Sequence, residues 1–406
     1  MPVIFWQWII VIVSLLILFL LSPLARNNET FFRGLSRTSK QPGFITLTFS
    51  LVISWIFAKS ITNAANLGLS FGIVGGVAYA AYYFSFLVAG IVIYKIRKNT
   101  KLESLHQFLN NKFGRSAIIA FSFLISIRLL NEVWSNTAVI GTYFGENGSS
   151  GYVASIIVFT ALTLAYSLKG GLSSSIFTDI IQMGLFAVLL FIILSMILPK
   201  EGSVTPFLTS GEWSFSTGVN LLLVAMLQVF SYPFHDPVLT DRGFISNEKT
   251  TLKSYIAATV IGFLAILFFS FIGIYGSFLG LKGEAAVEVS KTFGAFMMVI
   301  MNLIMVTSAA STLDSTFSSV SKLAVVDLGK KEKISIKKGR WAMIIVTIGG
   351  TIPLFFSPEI LSATTISGTM VLGLAPIFLL WKIPAPKISF HLALWTGVAA
   401  GIILTF

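Results

Sequence analysis

About twelve times along this chain, apolar residues run on for long enough to cross a bilayer, and that recurrence decides what the chain can fold into. The runs are Val3–Leu21, Phe44–Gly68, Ile73–Tyr94, Ala117–Phe144, Tyr152–Ser167, Ser175–Leu198, Val219–Thr240, Ile256–Leu279, Thr292–Val325, Ala342–Phe356, Leu361–Trp381 and Ile388–Phe406. His391 and two glycines dilute the last one. Hydrocarbon offers a peptide group no hydrogen-bond partner, so each run must satisfy itself as a helix. Only 11% of the residues are charged, which excludes a soluble globular domain and predicts an all-α polytopic membrane protein. Every connection is short, leaving no room for a soluble domain between spans. Val3–Leu21 lacks a basic leader and a small-residue cleavage site, so it reads as a retained span rather than a signal peptide. Without cysteines, disulfides and thiolate metal sites are excluded.

The formal charge of +12 points to nucleic acid only until the basic residues are placed. They fall in alternate loops. Arg26, Arg33, Arg37 and Lys40 lie in the first, and Lys95, Arg97, Lys98, Lys101, Lys112 and Arg115 in the third. Lys169, then Arg242, Lys249 and Lys253 follow. Lys330, Lys331, Lys333, Lys337, Lys338 and Arg340 form the strongest cluster, and Lys382 and Lys387 close the set. Only Lys200, Lys282 and Lys291 fall on the other side. By the positive-inside rule the basic side is cytoplasmic and both termini face outward, in the cell membrane. The lysines are a topology signal, with no nucleic-acid partner implied.

Within the spans a few stretches depart from plain hydrocarbon. In Phe44–Gly68 the apolar start gives way to Lys59-Ser60-Ile61-Thr62-Asn63-Ala64-Ala65-Asn66. An ammonium at mid-bilayer costs about 2.5–3.5 kcal/mol or more. Asn and Gly are poor helix formers. The stretch reads either as a broken helix lining a site, or as a helix buried in the bundle with Asn as interhelical glue. The other intramembrane ionisable residues are Arg128, Glu132, Asp179, His235, Asp236 and Asp314. Arg128 and Glu132, four apart, read as a self-neutralising pair. Asp179 reads as a dipole contact at the start of its helix.

The ninth run carries Ser308, Ser311, Thr312, Ser315, Ser319 and Lys322 at helical spacing on one face, bordered by Asp314. Hydroxyl and carboxylate oxygens suit a hard cation, while Ser/Thr stripes also serve close helix packing. The seventh run holds Tyr232-Pro233-Phe234-His235-Asp236-Pro237, where two prolines remove helix hydrogen bonds. Interruptions in the second and seventh runs predict an inverted repeat, residues 44–198 and 217–381, flanked by extra helices in 1–43 and 388–406. The whole forms one transmembrane domain. Residues at the two breaks, Ser60, Thr62, Asn63, Tyr232, His235 and Asp236, are the candidate solute contacts.

Four stretches together resemble the sodium:solute symporters, the family of proline, sugar, pantothenate and sialic acid symporters. Tyr166–Gln182, YSLKGGLSSSIFTDIIQ, resembles the family's Y…GG(L)…TD…Q signature. SAASTLDSTFSSVSKL from Ser308 resembles its sodium-binding helix. Asp236-Pro237 followed by Arg242 is similar to a (Q/N)-P…R pattern, and Ser104–Arg115 to the loop before the third core helix. The resemblance covers roughly Phe44 to Trp381. It implies a LeuT-type 5+5 inverted repeat and a Na+ site formed by the carbonyls of Ala58, Ile61 and Ser308 with the hydroxyls of Ser311 and Thr312. It places Asp179, Asp314 and Ser315 near a second cation position and gives Asp236 a substrate-contacting place. Ala64 and Ala65 stand where sugar symporters carry polar residues, which argues against a sugar.

The chain departs from the family in its short C-terminal end and in Lys59, beside an implied Na+ ligand. The expected partner of Lys59 is Asp314 first and Asp179 second. The reading is a secondary transporter, Na+-coupled, for a small polar organic solute, amino-acid-like or amine-bearing, acting in the bilayer as a monomer or loose homo-oligomer. One alternative keeps the fold but makes the carrier Na+-independent or proton-linked, with Lys59 as a tethered cation. Another is a transporter-like solute sensor. An enzyme is not expected: the three histidines fall in different elements and no glycine loop cradles a phosphate.

Overall fold

The computed structural model describes residues 3–36, 40–329, 333–356 and 368–403. Arg37, Lys330, Lys331, the first part of the expected Leu361–Trp381 span and the last three residues of the final one lie outside the described residues. Among the described residues there is no strand.

The helices that build the bundle are α1 (Val3–Leu21), α2 (Phe44–Trp55), α3 (Ala58–Ala80), α4 (Phe84–Thr100), α5 (Arg115–Thr142), α6 (Ser150–Gly170) and α7 (Leu172–Ile197). Then come α8 (Val219–Gln228), α9 (Pro237–Arg242), α10 (Glu248–Phe278), α11 (Ala295–Lys322), α12 (Ile336–Thr351), α13 (Leu374–Leu379) and α14 (Ile388–Ile403). Among the described residues, seven helical stretches are long and apolar enough to cross a membrane, and the chain is a multi-pass membrane protein. This is fewer than twelve continuous spans. The second run is interrupted and its remainder continues into the third, while the seventh is interrupted and leaves the short helix α8. α12 and α14 have 16 residues each, and the first part of the eleventh run lies outside the described residues.

α11 is the centre of the bundle: 78% of its apolar window is buried, against 22% for α1. It packs on α5, α7 and α12, while α1 turns Ile4, Phe5, Leu16 and Leu20 outward as a lipid-facing helix would. α3 and α10 make the most extensive helix pairing among the described residues. At Gly273 of α10 an added Cβ would collide with the Ala65 carbonyl of α3. Small residues let two membrane helices approach this closely, where apolar burial gives no drive for association. The small residues of the second run therefore serve packing. The chain turns at Gly72, which takes φ 62° and ψ −146°. The amide of Ile73 is held there by the Ser210 carbonyl at 3.2 Å. A side chain at Gly72 would be strained by its φ and would meet the Ser210–Gly211 backbone at 2.7 Å.

Two expected boundaries move. The first break falls at Ile56–Phe57, where the backbone leaves helical geometry (Ile56 φ −80°, ψ 78°; Phe57 φ −65°, ψ 149°), and Lys59 to Asn66 are helical. Arg242, read as a cytoplasmic loop residue, ends α9 fully buried.

Gly273→Ala is expected to destabilise the bundle by about 1–3 kcal/mol. Gly184→Ala, at a helical position with open space around it, should be neutral or slightly stabilising. Thermal unfolding of the detergent-solubilised variants compares the two.

Candidate functional site

At the first break the carbonyls of Trp55 and Ile56 are released from regular helix bonding. That of Trp55 accepts the Tyr83 hydroxyl at 2.8 Å, that of Ile56 accepts the Ser308 hydroxyl of α11, and that of Phe57 starts α3 by accepting the amide of Ser60 at 2.9 Å. Neighbouring helices thus supply the partners that lipid cannot. Of the expected contacts, Ser60 meets the Tyr79 hydroxyl at 3.4 Å and Asn63 donates to it at 3.1 Å. Thr62 is buried on the same helix, and Asn66 holds Glu284 and the amide of Ala285.

Lys59 does not pair with Asp314 or Asp179. Its ammonium bonds Glu132 at 2.7 Å, Ser135 at 3.1 Å and Asn131 at 3.4 Å, all on α5, and lies 5.0 Å from the Phe57 ring centre. The expected alignment of Lys59 with α11 fails because the break rotates α3 so that its first turn faces α5. Glu132 also contacts the guanidinium of Arg128, whose other arm reaches Asp236 at 3.0 Å. Two cations and two carboxylates therefore form one buried, neutral chain across α3, α5 and the second break. The expectation that Arg128 and Glu132 merely neutralise each other captured one link of three. The polar face Arg128–Glu132–Ser135–Asn136 at helical spacing was the available signal.

The second break follows from its prolines. α8 stops at Gln228, a 3-10 turn spans Tyr232–His235, and Pro237 opens α9 at a position where its missing amide costs nothing. Asp236 caps α9 by accepting from Val238 at 3.0 Å and Leu239 at 3.4 Å. Its second oxygen takes Trp55 Nε1 at 2.8 Å besides Arg128. With four donors already in place, Asp236 is not available to a solute ammonium, which corrects the role expected of it. His235 turns Nδ1 to the Tyr232 carbonyl at 2.5 Å and buries its other nitrogen.

Between the breaks lies a narrow cavity of ≈20 Å³, walled by Trp55, Phe57, Ser60, Tyr79, Tyr82, Tyr83 and Tyr232. Ser60 and Tyr232 are the expected contacts that reach it. The walls Tyr79, Tyr82 and Tyr83 escaped sequence reasoning, because aromatics in an apolar run look like any other membrane residue.

On the other side of α2 is a second polar cluster. Asp179 accepts Ser311 at 2.6 Å, Ser50 at 2.5 Å and Arg242 at 3.0 Å. Arg242 also donates to Ser50 and Ser315, each at 2.7 Å. Asp314 is held by hydroxyls alone: Ser175 at 2.7 Å, Tyr166 at 2.8 Å, Thr178 at 3.0 Å and Ser315 at 3.2 Å. Here one guanidinium faces two carboxylates. Thr312 donates to the Ser308 carbonyl at 3.1 Å. The donor set is all oxygen, which fits a hard cation such as Na+. No cluster of three or more His, Cys, Asp or Glu occurs among the described residues. At the C-terminal end of α11, Lys322 leaves the hydroxyl face to bond Asp241 at 2.6 Å and Asp327 at 3.1 Å.

A helical membrane bundle with two interrupted helices meeting over a polar centre is the architecture of secondary transporters. No protein-family model matches the sequence. Over 160 residues, 39% of this chain, it is 24% identical to a Drosophila melanogaster protein described as "Putative sodium-dependent multivitamin transporter". The match covers 26% of that protein, so the chain aligns with about a quarter of the curated relative's length. In structure it is similar to a Na+-coupled sialic acid symporter in a substrate-bound outward-open state, with TM-score 0.64, 14% identity, and 98% and 97% of the two chains covered. It is similar also to Mhp1, a nucleobase-cation-symport-1 family transporter in a closed conformation with bromovinylhydantoin bound, with TM-score 0.64, 13% identity, and 95% and 93% covered. The fold is thus of the LeuT type, in agreement with the resemblance read from the motifs, and the proteins it is similar to are transporters, not enzymes.

Glu132→Gln leaves Lys59 without a carboxylate, while Arg128 keeps Asp236, and is expected to cost about 3–5 kcal/mol. Lys59→Met leaves Arg128 on Glu132 and should cost less. A double-mutant cycle of Lys59 with Glu132 should show coupling above about 0.5 kcal/mol, and one with Asp314 should be additive. The reverse order, read by thermal unfolding, would contradict the pairing.

Proposed function

We propose that this chain is a secondary transporter that couples the uptake of a small polar organic solute to Na+ by alternating access. In this reading, residues 44–198 and 217–381 form the two halves of a 5+5 inverted repeat within twelve spans, with an extra helix at each end. The protein sits in the cell membrane with both termini outward. The two interrupted helices meet at the aromatic cavity, and one half rocks against the other around it.

The observation that carries the coupling is the excess carboxylate beside α11. Asp179 has Arg242, whereas Asp314 has four hydroxyl donors and, among the described residues, no basic partner. A buried carboxylate without a countercharge is costly, so this cluster favours binding one mobile cation. Asp179, Asp314, Ser311 and Ser315 would hold it with Thr312. The carbonyls of Ala58, Ile61 and Ser308 complete the site toward α3, beside the Ser308–Ile56 contact. Lys59 directs its ammonium to α5, so it leaves this position to an external cation. The geometry therefore favours an ion-coupled carrier over one with a tethered cation.

A second reading rests on the same residue. If the mobile cation is a proton, Asp314 carries it and the hydroxyls around it accept and donate in turn. For the solute, the neutral chain Lys59–Glu132–Arg128–Asp236 supplies no unpaired charge at the cavity. Tyr79, Tyr82, Tyr232 and Ser60 offer ring faces and hydroxyls, which suits an uncharged or zwitterionic molecule with an apolar face. His235 and Asp236 then position the break rather than touch the solute.

Reconstituted into proteoliposomes and offered a labelled solute library, the protein is expected to take up solute at least tenfold faster under an inward Na+ gradient. Asp314→Asn and the pair Ser311→Ala/Thr312→Ala should abolish that stimulation with expression intact. Stimulation by an inward proton gradient alone, lost in Asp314→Asn, would instead support the proton reading. Na+ stimulation unchanged in both variants would place the ion elsewhere.

A further inference from the structure

On the basic face of the molecule, an open groove of ≈580 Å³ runs between the end of α4, the short helix Leu105–Phe113 and the segment after α13. Asn99, Phe108, Asn111, Lys112, Trp381 and Lys382 line it. Lys112 donates to the Trp381 carbonyl at 2.8 Å and lies over the rings of Phe108 and Phe113 at 5.8 and 5.3 Å. Lys382 lies over the Trp381 ring at 5.4 Å. Neither ammonium bonds a carboxylate among the described residues, and the nearest acidic residue along the chain, Glu103, is occupied by Arg33 at 3.2 Å. Burial lowers the Lys112 ammonium from its ordinary range, with no offsetting anion.

We propose that this groove binds the headgroup of an anionic phospholipid. Two unpaired ammonium groups provide the charge, and Asn99 and Asn111 provide donors for phosphate or glycerol oxygens. The flanks decide between a lipid and a soluble anion. Leu379, Leu380 and Ile383 are 40%, 52% and 54% exposed on either side of Trp381 and Lys382. An exposed apolar strip carrying a tryptophan and a lysine marks the membrane–water boundary, where acyl chains can lie along the strip while the phosphate reaches the lysines. The basic face is the cytoplasmic one, where anionic lipids concentrate. Recognition of this kind anchors the short Leu105–Phe113 helix at the bilayer surface, independently of the transported solute.

The test measures binding of phosphatidylglycerol to the full-length protein in phosphatidylcholine nanodiscs, by native mass spectrometry and by titration. Lys112→Gln/Lys382→Gln should weaken binding about 25-fold, and Lys112→Arg/Lys382→Arg should retain it. Lys382 is exposed, so Lys382→Gln alone tests the site without disturbing the fold and should cost about fivefold. Lys95→Gln/Lys98→Gln, which removes equal charge outside the groove, should change binding less than twofold. Glycerol 3-phosphate should not displace the lipid. Equal weakening by both double glutamine variants, no weakening by Lys382→Gln, or displacement by glycerol 3-phosphate would overturn the proposal. None of these readouts depends on transport, so they are separate from the outcome for Na+ coupling.

Discussion

Glu132 is the anion on which the centre of this structure depends. Two cations from different places in the chain, Lys59 at the start of α3 and Arg128 one turn back on α5, converge on its carboxylate. Arg128 then carries the connection to Asp236, which caps α9 and holds the Trp55 indole. Both interruptions of the membrane helices are tied together by this one chain. Each member is nearly inaccessible to solvent, so each would be costly alone. In combination the charges cancel, and the break at Ile56–Phe57 and the break before Pro237 are held at a defined separation, with an aromatic cavity between them.

The cluster around Asp179, Arg242 and Asp314 is built from similar groups with a different balance. Its one guanidinium is shared among Asp179, Ser50, Ser175 and Ser315, and Asp314 is left to hydroxyl donors. Hydroxyls can turn to donate or to accept, so this region can reorganise around an incoming cation without breaking an ion pair. The neutral chain on α5 cannot do so, since removing any member strands a charge. The chain centred on α5 is balanced in charge, whereas the cluster beside α11 has one guanidinium for two carboxylates.

Several features were legible because they are local. Pro233 and Pro237 mark the second break, since a proline lacks the amide that a helix interior needs. The hydroxyl stripe on α11 follows from spacing alone. Within Phe44–Gly68 the small and polar residues left two readings open, a broken helix or a helix buried in the bundle. The break falls just before them, at Ile56–Phe57, and Lys59 to Asn66 are helical. The small residues that drew attention serve the close contact of α3 with α10 at Gly273. Arg242 looked like a loop cation because it stands among basic residues just beyond an apolar run. Its position on α9 folds it inward onto Asp179.

Composition, periodicity and proline placement are properties of a segment, so the sequence by itself determined the helical membrane class, the second break, the oxygen-rich face of α11 and a motif order that points to a LeuT-type fold. Pairing is a property of how segments are placed. A buried ammonium must find a carboxylate, but Asp179, Asp314, Glu132 and Asp236 were all available to Lys59. Only the tertiary structure decided among them, because the rotation of α3 after Phe57 brings Lys59 within 2.7 Å of Glu132, and in a low-dielectric interior the nearest opposite charge wins.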